Sequence, residues 1–185
     1  MDWLKVKNGE FKRVQTINPT KGIYLVNLSP RPYTPTEEDE DVDCEVISLR
    51  TEKVPNTVEL SQLLQDLQAV YDKSDEVNYF LLGEEKCWLD KDTRVGLINS
   101  INIQKDSGAL VTILWLNGKP YHMDIDYALN FLKELELYAI SCYNTTQIHL
   151  SEIKQITNRD ALFQYNISTG YPTPLGLDME QILKV

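Results

Sequence analysis

One segment limits the possible folds of this chain more than any other. From Ile125 to Tyr143 the apolar residues recur with a helical period. Placed at about 100° each, Ile125, Ala128, Leu129, Leu132, Leu135, Ala139, Cys142 and Tyr143 share one broad face. Asn130, Lys133 and Glu134 fall elsewhere. A helix this amphipathic needs other elements to cover it. What precedes it reads mainly as strands, so the expected class is α+β rather than a doubly wound parallel sheet.

The first strands are short and turn-bounded. Residues 2–7 alternate in the β period, Asn8-Gly9 follows, and Phe11 to Val14 resumes the pattern, which predicts a hairpin because both turn residues need positive φ. Ile23 to Leu28 predicts a third strand and Val46 to Leu49 a fourth. Asn56 or Thr57 then caps a helix with Leu60, Leu63, Leu64, Leu67 and Val70 on one side. Val77–Leu82 and Lys86–Leu89 flank Gly83-Glu84-Glu85 as a second hairpin. Asp90 or Asp92 caps a short helix through Leu97 and Ile98, after which Ile101 and Ile103 are expected to return to strand. Leu110 to Leu116 reads as a buried strand, turned by Asn117-Gly118 into Tyr121–Asp124. Beyond the long helix, Asn144-Thr145-Thr146 is expected to break it. A further helix over 146–156, a short one over 160–165, an extended tail and a last turn at 179–183 follow. The expected organisation is a β-rich N-terminal region over 1–55 and a linker helix over 56–74. A C-terminal domain over 75–185 would pack β-hairpins with two or three helices.

Charge is distributed unevenly. The 185 residues carry a formal net charge of −10. That balance disfavours nucleic acid as a partner, because phosphate neutralisation needs clustered Lys and Arg. Residues 1–31 hold six basic and two acidic side chains, a local +4. Three prolines within 29–36 then preclude helix and favour extended chain. Seven acids within the nine residues 37–45 follow, and their repulsion should keep the run extended and solvated. The run reads either as a solvated loop beside a basic hairpin, or as a docking surface for a basic partner or for the chain's own N-terminal segment. The docking reading rests on Trp3, Arg13, Pro30, Arg31, Pro32 and Tyr33, with the acids Glu37, Glu38, Asp39, Glu40 and Asp41.

Candidates for chemistry are few. The three cysteines, Cys44, Cys87 and Cys142, have no CxxC spacing, so neither a disulfide framework nor a zinc site is expected. The N-terminus has no apolar stretch of the signal-peptide kind, and no apolar run is long enough to span a bilayer; no membrane partner is expected. Cys142 and His149 stand two helical turns apart, but a nucleophile pair also needs an orienting group and an oxyanion site. The expectation is a structural thiol and a surface imidazole. Glu136 falls near the middle of the apolar face, where a carboxylate needs a cation such as Arg94 or a set of Tyr hydroxyls. Asp124 and Asp126 suit the positive N-terminus of the long helix better than a metal. Phosphate-binding, serine-hydrolase and zinc-protease motifs are missing from the sequence. No catalytic residue, metal or cofactor is therefore expected. Ten tyrosines and three tryptophans suit either a β-rich core or binding hot spots.

From Tyr71 onward an ordered series of short motifs appears. Tyr71-Asp72-Lys73-Ser74-Asp75-Glu76-Val77-Asn78-Tyr79-Phe80 leads into Trp88-Leu89-Asp90-Lys91-Asp92-Thr93-Arg94-Val95-Gly96-Leu97 and Asn99-Ser100-Ile101. Leu114-Trp115-Leu116, Glu136-Leu137-Tyr138-Ala139, Cys142-Tyr143-Asn144-Thr145-Thr146, His149 and Tyr171-Pro172 complete it. Over residues 71–177 the chain resembles a C-terminal domain of unknown function found in tail-fibre and tail-assembly genes of bacteriophages and prophages, especially those of gut Bacteroides-type hosts. The Pro-rich stretch and Cys44–Arg50 resemble the leader of such proteins. The resemblance implies a non-enzymatic virion protein of the tail region, made in the host bacterial cytoplasm. It would work by contacts with other phage subunits, tail or fibre, or with itself. An assembly chaperone absent from the finished particle is the alternative, and a phage-encoded cytoplasmic enzyme or host-defence inhibitor a further one. It also casts Trp88, Arg94, Trp115, Glu136, Tyr138 and Tyr143 as architectural, with Arg94 and Glu136 meeting across the core.

Overall fold

The computed structural model describes residues 2–7, 11–36, 39 and 41–182. The fold is α+β with a β-rich N-terminal region. The chain divides into two compact units, each assembled from two stretches of sequence: residues 1–74 with 145–170, and residues 75–144 with 171–185. This differs from the expected division, which assigned everything after residue 74 to one domain.

The first unit is built on a four-stranded antiparallel sheet in the order β1-β4-β3-β2. Its strands are β1 (Trp3–Lys7), β2 (Val14–Asn18), β3 (Ile23–Pro32) and β4 (Val42–Thr51). The expected hairpin between the first two strands does not form. β1 pairs with β4 and β2 with β3, so the two sit on opposite edges. Asn8-Gly9 lies outside the described residues. The ten-residue strands β3 and β4 take the centre and bury Val26, Leu28, Val46 and Ile47. The Pro-rich segment begins inside β3, not after it. This is possible because the β3–β4 register shifts between Leu28 and Arg31. A bulge there relieves Pro30 of a ladder bond it has no N–H to make. Ser29 occupies this bulge with φ +53°, is fully buried, and accepts a hydrogen bond from the Ile167 N–H at 2.9 Å.

The helix α1 (Thr57–Tyr71), expected as a linker, is an integral part of this unit. Asn56 and Glu59 cap it reciprocally. Its face buries Leu60, Leu64, Leu67 and Tyr71, and fully burying a leucine contributes about 2 kcal/mol. Val70, expected on that face, is exposed. The short helix α4 (Arg159–Gln164, numbered after those below) starts at Asn158, whose side chain accepts from two backbone N–H groups.

The second unit holds two hairpins. β5 (Phe80–Leu82) pairs with β6 (Glu85–Cys87), and the two-residue β9 (Gly176–Leu177) adds to β5 in parallel. β7 (Val111–Leu116) pairs with β8 (Lys119–Asp124) through Asn117-Gly118, both at positive φ as such a turn requires. Between the hairpins runs α2 (Lys91–Asp106), sixteen residues capped by Asp90. The expected return to strand at Ile101 and Ile103 is overturned. Burial of Ile101 within the helix outweighs the β preference of the isoleucines. A 3-10 turn at Met179–Gln181 stands near the expected last turn.

The long helix α3 runs without interruption over Ile125–Gln155 and contributes to both units. Its continuity through Asn144-Thr145-Thr146 corrects the expected break. The Thr146 hydroxyl donates to Asp72 at 2.6 Å and that of Thr145 to the Gly170 carbonyl at 3.3 Å. Both hydroxyls thus have partners outside the helix, which polar residues in mid-helix need if they are not to disrupt it. In the second unit α3 buries Ala128, Leu129, Phe131, Leu132 and Leu135, with Phe131 edge-on to Phe80 at 5.1 Å. No helix among the described residues is long and apolar enough to cross a membrane.

Candidate functional site

The N-terminal residues expected to bind a partner are largely bound within their own unit. Arg31 lies over the Trp3 ring at 3.6 Å, and its Nε donates to Glu45 at 2.8 Å. Trp3 also meets the edge of Tyr71. Lys5 pairs with Asp39 and sits over the Tyr33 ring at 4.7 Å, while the Tyr33 hydroxyl donates to Asp39 at 3.2 Å. Lys7 pairs with Asp41 at 3.5 Å, and Arg13 with Asp160 beside Phe163. The Lys5 ammonium holds the Asp39 carboxyl below its ordinary range, and Asp39 in turn holds Lys5 above its own. Asp39, Asp41 and Glu45 therefore close on the chain's own cations instead of standing free in solvent. Pro30 and Pro32 are part of β3, and Glu37, Glu38 and Glu40 lie outside the described residues.

The second unit brings Arg94 and Glu136 together. Asp90 caps α2 by accepting from the Thr93 N–H and hydroxyl, which hold its carboxyl below the ordinary range. That cap sets Arg94 one turn inside the helix. Its side chain keeps only 4% exposure, and its Nε donates to Glu136 Oε1 at 2.8 Å, the pairing the sequence called for. Nη1 donates to the Leu89 carbonyl at 2.5 Å. The guanidinium also lies 5.0 Å from the half-buried Trp88 ring, which is edge-on to Tyr138. Tyr138 is buried, and its hydroxyl donates to the Val77 carbonyl at 2.7 Å. These four residues thus stack or hydrogen-bond with one another and with neighbouring backbone within the second unit. Glu136 itself keeps 34% exposure and faces a groove of about 410 Å³ lined by Lys91, Arg94, Glu136, Ala139, Ile140, Tyr143 and Asn144.

Two expected core residues are not core. Tyr143 is 57% exposed on the groove rim, and Trp115 is 65% exposed on β7. Leu110–Leu116 is apolar on both faces, so its period could not be read. β7 turns Thr112, Leu114 and Leu116 inward and Val111, Ile113 and Trp115 outward. Leu116 opposite Lys119 closes the two-residue turn, which makes 112, 114 and 116 the residues hydrogen-bonded to β8. The N–H and C=O groups of Val111, Ile113 and Trp115 therefore point to the other edge. Among the described residues no strand or backbone group pairs there. The result is an open strand edge flanked by an apolar outer face.

The remaining candidates are internal. His149, expected at the surface, is 5% exposed and stands between the Tyr165 hydroxyl at 2.6 Å and the Thr169 carbonyl at 2.9 Å. Cys142 is buried with its thiol toward the Val77 carbonyl. Asp124 accepts from the Asp126 and Tyr127 N–H groups and caps α3, while Asp126 pairs with Lys105. Both carboxylates are thereby committed to the helix and its neighbour. Burial raises the Cys87 and Cys44 thiols above the ordinary range and keeps them protonated. Sequence reasoning missed Val111, Ile113, Lys91, Ile140 and Asn144. None of the five carried a period or motif that could have singled it out.

Comparison of the chain with protein-family models, with curated proteins and with solved structures finds no match.

Proposed function

We propose that this chain is a non-enzymatic bacteriophage virion protein of the tail or tail fibre, acting as an adaptor through protein–protein contacts. The phage assignment rests on the resemblance over residues 71–177. The contact function rests on one observation, the open edge of β7. Its outward side chains are Val111, Ile113 and Trp115, while Thr112 points inward. That is the reverse of what a water-facing strand selects. Natural sheets blunt such edges with charge, proline or bulges, and none of these interrupts β7. An extended segment of a neighbouring subunit would complete the sheet by main-chain hydrogen bonding and cover the tryptophan.

Mass spectrometry of purified virions tests the assignment. Recovery of the protein at stoichiometric level is expected; its presence only in infected-cell lysate would favour the assembly chaperone. Trp115→Thr tests the surface, since this side chain is mostly exposed already. The folded protein should unfold within about 0.5 kcal/mol of the wild type. Its incorporation into particles should fall sharply, and wild-type incorporation would refute the role given to β7.

A further inference from the structure

The groove beside the Arg94–Glu136 pair has an unbalanced set of hydrogen-bonding groups. Arg94 uses Nε on Glu136 and Nη1 on the Leu89 carbonyl. Among the described residues its Nη2 has no hydrogen-bond partner, yet it is not sealed from solvent. Lys91, Tyr143 and Asn144 also line the groove and make no hydrogen bond or ion pair with any described residue. Unused donors thus come from four side chains, and two of these carry positive charge. The one acid present, Glu136, already serves Arg94. The lining is net positive by one charge in a chain of net −10. Ile140, exposed on the same rim, supplies an apolar wall.

From this we infer a binding site for a monocarboxylate carried on an apolar body. The carboxylate satisfies Arg94 Nη2 and Lys91, the Asn144 amide and Tyr143 hydroxyl complete its shell, and the body lies against Ile140. A carboxylate accepts without donating, which matches a donor-rich groove. A phosphate dianion fits poorly, because its second charge would meet Glu136. A cavity of about 410 Å³ falls within the range of small-ligand sites. The inference is independent of the phage assignment and of the β7 edge.

The test is a titration of the full chain followed by amide NMR. The probes are N-acetyl-leucyl-leucine, its C-terminal amide, and hexanoate. The free acid should shift the resonances of 91–94 and 139–144, with a Kd on the order of 1 mM or tighter. The amide should bind at least tenfold more weakly, a difference of about 1.4 kcal/mol. Lys91→Ala, which removes no hydrogen bond or ion pair with any described residue, should weaken the acid roughly fivefold. Tighter binding of the dipeptide than of hexanoate identifies a polypeptide C-terminus as the source, and the reverse order a small fatty acid. Equal binding of acid and amide, shifts confined to residues outside the groove, or an unaltered Lys91→Ala titration would each overturn the site.

Discussion

Arg94→Met removes a buried charge of the second unit and leaves the helix stem packed. Three contacts vanish with the guanidinium. The hydrogen bond to Glu136 is charge-assisted and worth about 1.5–3 kcal/mol, taken near the lower end because Glu136 keeps 34% exposure to water. The bond to the buried Leu89 carbonyl adds about 1.5 kcal/mol, since that oxygen loses a charged donor. The stacking on Trp88 adds about 0.5–1 kcal/mol. Methionine refills part of the space and returns roughly 1 kcal/mol through its own burial. The net expectation is a loss of about 3 kcal/mol, a large share of the 5–15 kcal/mol typical of a domain. Glu136→Gln keeps an acceptor for Nε and should cost only about 1 kcal/mol. The assay is urea unfolding followed by tryptophan fluorescence and far-ultraviolet circular dichroism, with the double variant closing the cycle. The double variant should fall within about 0.5 kcal/mol of Arg94→Met alone, because the pair is already broken. An Arg94→Met variant within about 1 kcal/mol of wild type, or fully additive effects, would refute the reasoning.

Two other predictions concern the first unit. Ser29→Ala keeps the positive φ and strips the buried Ile167 N–H of its acceptor, so it should cost about 1–3 kcal/mol; Ser29→Gly loses the same acceptor but tolerates the backbone, and should unfold about 1 kcal/mol later than the alanine variant. Equal stability of the two variants in urea would remove the strain from the account. Asp39 has a lowered folded value, so its pairing with Lys5 contributes fully above the ordinary carboxylate range and is lost as pH falls through that lowered value. Tyr33 side-chain resonances should report a midpoint below 3.8 in the wild type and a higher one in Lys5→Ala, and identical midpoints would show that Lys5 is not the cause.

Local structure was readable where a residue's role depends on its neighbours in sequence. The caps at Asn56 and Asp90, the Asn117-Gly118 turn and the apolar face of α3 all follow from side chains within four positions of one another. Errors arose where the deciding partner is remote. β1 alternates as an edge strand should, but alternation does not say which strand it joins, and its partner β4 lies across some forty residues. Ile101 reads as strand by propensity and is helical because α2 buries it. The polar triplet at 144–146 looks like a breaker until Asp72 and the Gly170 carbonyl engage its two hydroxyls. The Arg94–Glu136 pair was legible because a carboxylate on an apolar face demands a cation. The groove beside it was not, since Lys91 and Asn144 are ordinary surface residues until α2 and α3 bring them together.

The interleaving of the two units also sets an order on synthesis. The four strands and α1 are complete once residue 74 is made, but the unit they belong to still lacks residues 145–170. Ser29 then has no Ile167 to bind, and Asp72 no Thr146. At about 5–20 residues per second, the ribosome takes roughly 5–20 s to add the intervening stretch and the missing one. During that interval the nascent sheet is a half-built body with apolar positions uncovered. The second unit meets a shorter delay, waiting for residues 171–185, which add β9 to β5 and bridge Ile182 to Met123. Neither unit can be cut out as one continuous piece of gene, and a chain stopped at residue 144 would release two incomplete bodies instead of one finished and one missing.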